Sequence, residues 1–131
     1  MISVNAGINR MMRLIVAIAF MSSLISTSYA KEYVKKDGFL SLNKNDSSAN
    51  FIINASHGQA SGVCNIEGEA VSIGAMKNQK NRWAYSDSSS MCVMIISEFK
   101  NGTVEIMTRD CEGYCGLSAV GSMDGIYKVG K

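Results

Sequence analysis

Proline is absent from this chain of 131 residues, and histidine and tryptophan occur once each, as His57 and Trp83. Without proline, no strand is barred from the interior of a sheet. One histidine leaves no room for a histidine-rich metal site. Neither H-E-x-x-H nor G-x-S-x-G occurs, so the metalloprotease and α/β-hydrolase signatures are both missing. Charged residues are sparse, at 18%, and form no block of one sign. That removes the basic patch that nucleic acid or an anionic membrane would require. No apolar run reaches the roughly 20 residues that a helix needs to span a bilayer.

What the chain does contain begins with an export pattern. Arg10-Met-Met-Arg13 is a positive n-region, Leu14–Met21 an apolar core, and Ser28-Tyr29-Ala30 places small residues where a signal peptidase reads them. Residues 1–30 are therefore expected to be a cleaved signal peptide and residues 31–131 a single domain. Translation from Met1 or from Met11 fits the pattern equally. No cysteine lies at the cleavage site, so no lipid anchor is expected, and the product should be periplasmic or secreted. Arg10 and Arg13 leave with the signal, and the formal charge of +2 on the full chain falls to zero. Three N-x-[ST] sequons, at Asn45, Asn54 and Asn101, matter only in a eukaryotic secretory pathway, and the short signal has a bacterial form.

All four cysteines, Cys64, Cys92, Cys111 and Cys115, lie in the mature part. An even number in a small exported domain reads as two disulfides. A four-cysteine zinc site would need unusual spacing, since no C-x-x-C pair is present; neither a metal nor a cofactor is expected.

Helical periodicity is nowhere sustained after Lys31. Short β-type runs alternate with Gly, Asn and Ser clusters, which predicts an all-β, single, small antiparallel sandwich or barrel. The runs are Tyr33–Val34, Phe39–Leu42, Asn50–Ile53, Gly62–Ile66, Glu69–Ile73, Arg82–Tyr85, Met91–Phe99, Thr103–Arg109, Leu117–Val120 and Gly125–Lys128. Asn101-Gly102 suits a two-residue type I′ turn, with φ > 0 at both positions. That register sets Phe99 against Val104, Ser97 against Ile106 and Ile95 against Thr108. Carried on without a bulge, it sets Cys92 against Cys111, which favours Cys92–Cys111 with Cys64–Cys115 as the second bridge. Cys64–Cys92 with Cys111–Cys115 is the alternative. The same register offers Val93, Ile95, Phe99, Val104 and Ile106 as a core face, with Trp83 and Tyr85 packing alongside.

Residues able to do chemistry are thinly spread. His57 sits in the loop Asn54-Ala-Ser-His-Gly-Gln-Ala-Ser-Gly62 with no orienting partner in sight. Glu67 and Glu69, at i and i+2, share one strand face without an evident cleft between them. The loop Ser86, Asp87, Ser88, Ser89, Ser90 gathers narrow hydroxyl side chains around one carboxylate and could hydrogen-bond into a polar cleft.

The segments Phe51-Ile-Ile-Asn-Ala, Val63-Cys-Asn-Ile-Glu-Gly68, Trp83-Ala-Tyr, Cys92-Val-Met-Ile, Cys111-Glu-Gly-Tyr-Cys-Gly116 and Asp124-Gly-Ile-Tyr127 together resemble a small exported β-domain of proteobacteria. In that family a C-x3-C-G and a terminal D-G-x-Y recur, and the domain occurs alone or ahead of modules similar to LprI-type lysozyme inhibitors. The resemblance implies a non-catalytic periplasmic protein that protects against cell-wall hydrolases. It carries over no inhibitory residues, and the signature motifs of c-type lysozyme inhibitors are not visible. The expected function is thus an inhibitor or immunity protein against a peptidoglycan-degrading enzyme, lysozyme-like or amidase. The partner-binding residues would be Ser86–Ser90 and His57. A carbohydrate- or envelope-binding module using Trp83 and Tyr85 is the second reading, and a small hydrolase using His57 the third.

Overall fold

The computed structural model describes residues 29–58 and 62–130. The expected signal, apart from its last two residues, lies outside them. The described residues form eight antiparallel strands: β1 (Lys31–Lys35), β2 (Gly38–Lys44), β3 (Ser48–Ala55), β4 (Cys64–Ile73), β5 (Gln79–Ser86), β6 (Val93–Phe99), β7 (Val104–Arg109) and β8 (Gly125–Val129). Each strand pairs with its neighbour in sequence, and β8 returns to β1 through Tyr33 opposite Val129 and Val34 opposite Lys128, so the sheet is a closed barrel rather than a sandwich. Closure removes the open edges on which another chain could add.

Strand alternation puts one set of side chains inside. Tyr33, Leu40, Leu42, Phe51, Ile53, Ile66, Trp83, Met94, Ile96, Val104, Ile106 and Tyr127 are all buried in one cluster. Eight strands enclose a space just wide enough for side chains to fill, and this interior is a packed core. Charged residues such as Glu32, Glu67, Glu69 and Lys128 are exposed on the outside, the reverse of a lipid-facing barrel.

Three expectations from the sequence are corrected. The runs at 62–66 and 69–73 are one strand, because Gly68 is not a turn. It faces inward opposite Phe51, and a Cβ there would meet the Tyr85 ring at 2.7 Å. The glycine gives Tyr85 room to pack edge-on against Phe51, with ring centroids 5.1 Å apart. The run at 117–120 is no strand: Leu117–Ala119 is a turn of 3₁₀ helix, as is Glu112–Tyr114.

The β6–β7 hairpin is the third. Only Gly102, at φ +92, is left-handed, so Asn101 does not form a type I′ turn. Phe99 and Thr103 instead flank a three-residue loop: Gly102 N donates to Phe99 O at 3.0 Å and Phe99 N to Thr103 O at 2.9 Å. This is a type I turn followed by a left-handed bulge residue. Pairing moves by one, to Glu98 with Val104 and Ile96 with Ile106. A one-residue slip exchanges the two faces of a strand. Met94, Ile96 and Glu98 therefore point inward, while Val93 is exposed and Ile95 and Phe99 are half-buried.

The disulfides are nonetheless Cys92–Cys111 and Cys64–Cys115, and no cysteine is left free. Val93 pairs with Arg109, which alone would set Cys92 opposite Asp110. Asp110 adopts φ +58, takes up one extra residue, and brings Cys111 to Cys92 with Cα atoms 4.4 Å apart. The expected pair is reached because a second irregularity cancels the first.

Candidate functional site at the loop end of the barrel

In an up-and-down barrel alternate connections emerge at the same end. The β1–β2, β3–β4, β5–β6 and β7–β8 connections therefore lie together, and with them His57, residues 86–90 and both disulfides. Residues 59–61 of the second connection lie outside the described part.

The 86–90 loop is wound around its carboxylate. Asp87 Oδ1 accepts from the Ser89 amide at 2.9 Å and the Ser89 hydroxyl at 2.8 Å. Asp87 Oδ2 accepts from the Ser90 hydroxyl at 3.0 Å and from the Tyr114 hydroxyl. The Asp87 amide donates to Cys92 O at 3.2 Å, and the Cys92 amide to Ser90 Oγ at 3.2 Å. The Tyr114 hydroxyl, then the Ser89 and Ser90 donors, hold the Asp87 carboxyl far below the usual carboxylate range. The Asp87 carboxylate, followed by Tyr85, holds the Tyr114 phenol well above its ordinary value. Ser89 and Ser90 thus spend their hydroxyls inside the loop. Ser86, Ser88, Ser89 and Ser90 are all exposed, and Met91, just beyond them, is 78% exposed.

On the other flank, His57 Nε2 lies 2.9 Å from Val120 O and so carries the hydrogen it donates. The Gly62 amide donates to Ser118 Oγ at 2.7 Å, the Gly116 amide donates to Val63 O at 3.1 Å, and Cys64 is bonded to Cys115. No hydrogen bond joins His57 to residues 86–90 among the described residues. Each flank is fastened instead to residues 111–120, one through Cys111 and Tyr114, the other through Cys115, Ser118 and Val120. At the middle of that bridging segment stands Leu117, 98% exposed.

Sequence reasoning missed Tyr114 and Leu117. The signal available was the pair of cysteines within C-x3-C-G: two bridges leaving so short a segment toward different loops must make it a joint between them. Trp83 is 2% exposed inside the barrel and offers no stacking surface, and Tyr85 packs against the same core. Glu67 and Glu69 do share an exposed face of β4. No group of three or more His, Cys, Asp or Glu side chains that could hold a metal ion is found among the described residues. In comparison with known proteins, no family model, no curated protein and no solved structure matches the chain.

Proposed function

We propose that this protein is an exported, periplasmic, non-catalytic binder whose loop end engages a secreted cell-wall hydrolase as an inhibitor or immunity protein. The observation that carries the reading is the bridging segment 111–120, tied by two disulfides and by side-chain hydrogen bonds to both flanking loops, with an almost fully exposed leucine at its crest. A leucine held out on a rigid, cross-linked mount costs solvation without contributing to the fold. Covering it on a partner would remove its apolar surface from water, and a preordered surface loses little entropy on binding. Two disulfides in so small a domain fit an oxidising compartment. The hydrolase as target is taken from the family that the C-x3-C-G and D-G-x-Y segments resemble.

The test is a peptidoglycan-clearing assay with muramidases and amidases titrated by the purified protein. Stoichiometric inhibition of one of them is expected. Leu117→Asp should weaken it at least tenfold, whereas Lys128→Glu on the barrel wall should leave it unchanged. Inhibition indifferent to Leu117→Asp, or no inhibition of either class, counts against the proposal.

A further inference from the structure

The outer face of β2, β3 and β4 carries a pattern that the loop-end reading does not use. Register places Asn54 beside Asn65 in one row, Ile52 beside Glu67 in the next, and Asn50 beside Glu69 in the third. All six are exposed. Rows on one face of a sheet repeat about every 6.7 Å along the strand and about 4.8 Å across it. Carboxamides and carboxylates thus stand in a lattice on the scale of a sugar ring, around one aliphatic side chain.

Asparagine is disfavoured in strands because its side chain competes for backbone partners and packs poorly on the pleat. Three of them on two paired strands are a cost that the fold does not recover, since they face away from the core. Asn43, on β2 opposite Asn50, extends the row. The face has no lysine or arginine beside its carboxylates, and the one ion pair among the described residues is Lys44–Glu98, elsewhere. Two shallow hollows, widely open to solvent, meet at Ile52 and Glu67, the first bounded by Tyr114.

We propose that this face binds an uncharged oligosaccharide. Carboxamides both donate and accept, and carboxylates accept from two hydroxyls each, which together match the mixed donors and acceptors around a sugar. Ile52 and the Tyr114 ring supply apolar contact for a sugar's C–H face. Two unneutralised carboxylates repel anionic ligands, so phosphorylated or carboxylated glycans are disfavoured. The site runs along the barrel wall and meets the loop end at Tyr114, but Leu117 and residues 86–90 do not line it.

The experiment is titration of the isotope-labelled protein with chitotetraose and with cellotetraose, followed by amide chemical shifts. Saturable shifts with either sugar are expected, confined to Asn50, Asn54, Asn65, Glu67, Glu69 and their neighbours. Asn50→Ala with Asn65→Ala should weaken binding at least tenfold while the remaining spectrum stays in place. Glu67→Lys, a single exposed change, should do the same if the double variant fails to fold. Carboxymethylated cellotetraose should bind at least tenfold more weakly than the parent, and Leu117→Asp should have no effect. Absence of shifts with both sugars, shifts centred on Leu117 or residues 86–90, or equal affinity for the carboxymethylated sugar overturns the proposal.

Discussion

Asp87 shows how much one side chain can decide. Four donors converge on its carboxylate from three residues, and the most distant, Tyr114, belongs to another connection. Its folded-state pKa lies below the unfolded value, so the stabilisation it lends is complete above about pH 4 and fades as the pH falls further. Tyr114→Phe keeps the ring and removes the strongest donor. The Asp87 carboxyl should then titrate closer to the ordinary range, and the Ser89 and Ser90 amides should exchange faster; NMR titration and hydrogen exchange read both. The serines and the aspartate of this loop were legible in the sequence as a polar turn. Their inward hydrogen bonding was not, because the residue that organises it lies 27 positions away.

Glu98 gives a second prediction at this scale. It is 4% exposed within the barrel. Burial alone would raise its pKa, but the Asn81 amide at 2.7 Å and Lys44 at 2.9 Å outweigh that and hold it below the usual range. Lys44→Met should cost about 1–3 kcal/mol, less than for a fully buried pair because Lys44 is partly solvated. It should also flatten a slope. With Lys44 present, Glu98 stabilises at neutral pH and loses that contribution as the pH falls through the ordinary glutamate range and below. Without Lys44, the hydrogen bond and the charge that Lys44 supplied no longer hold the Glu98 pKa down, it moves back up, and the loss of stability in acid should shrink. Denaturant unfolding of both proteins at neutral pH and at about pH 3 reads the difference.

Among the elements, the β6–β7 hairpin shows where pattern reading stops. Residues 93–96 are Val-Met-Ile-Ile, apolar on both phases of the alternation, so periodicity cannot tell which face is inside. The choice falls to the turn, and Asn-Gly serves both a two-residue loop and a three-residue loop with glycine at the left-handed position. On β7, where apolar and polar residues alternate, Val104 and Ile106 are inward as the sequence implied. Gly102→Ala places a Cβ at φ +92. It should cost about 1 kcal/mol, or about 4–8 °C in Tm for a domain of this size.

The bridges are elements too, and their spans differ: 51 residues for Cys64–Cys115 and 19 for Cys92–Cys111. Chain entropy assigns them about 4 and about 3 kcal/mol respectively. Replacing Cys64 and Cys115 by alanine should therefore destabilise more than replacing Cys92 and Cys111. Losing Cys92–Cys111 should nevertheless loosen residues 86–90 more. Thermal unfolding paired with hydrogen exchange separates the two effects.

At the scale of the whole molecule, strand content and an antiparallel sandwich or barrel were readable from local alternation; the strand order was not. Closure was not, because it rests on a short pairing of the first strand with the last, to which no local pattern points. Closure has a functional consequence. It brings His57, the Asp87 loop and the 111–120 bridge to one end and leaves the β2–β4 wall free along the side. Connections far apart in sequence become one surface, with Leu117 at its crest.

The most direct test of that surface is site-specific photocrosslinking in the producing cell, with the full-length protein carrying a photoreactive residue at position 117 or, as a control, at position 128 on the barrel wall. The expected result is one discrete adduct from position 117, identified by mass spectrometry as a cell-wall hydrolase, and none from position 128. Equal labelling from both positions, or an adduct from position 117 that contains no hydrolase, would contradict the account.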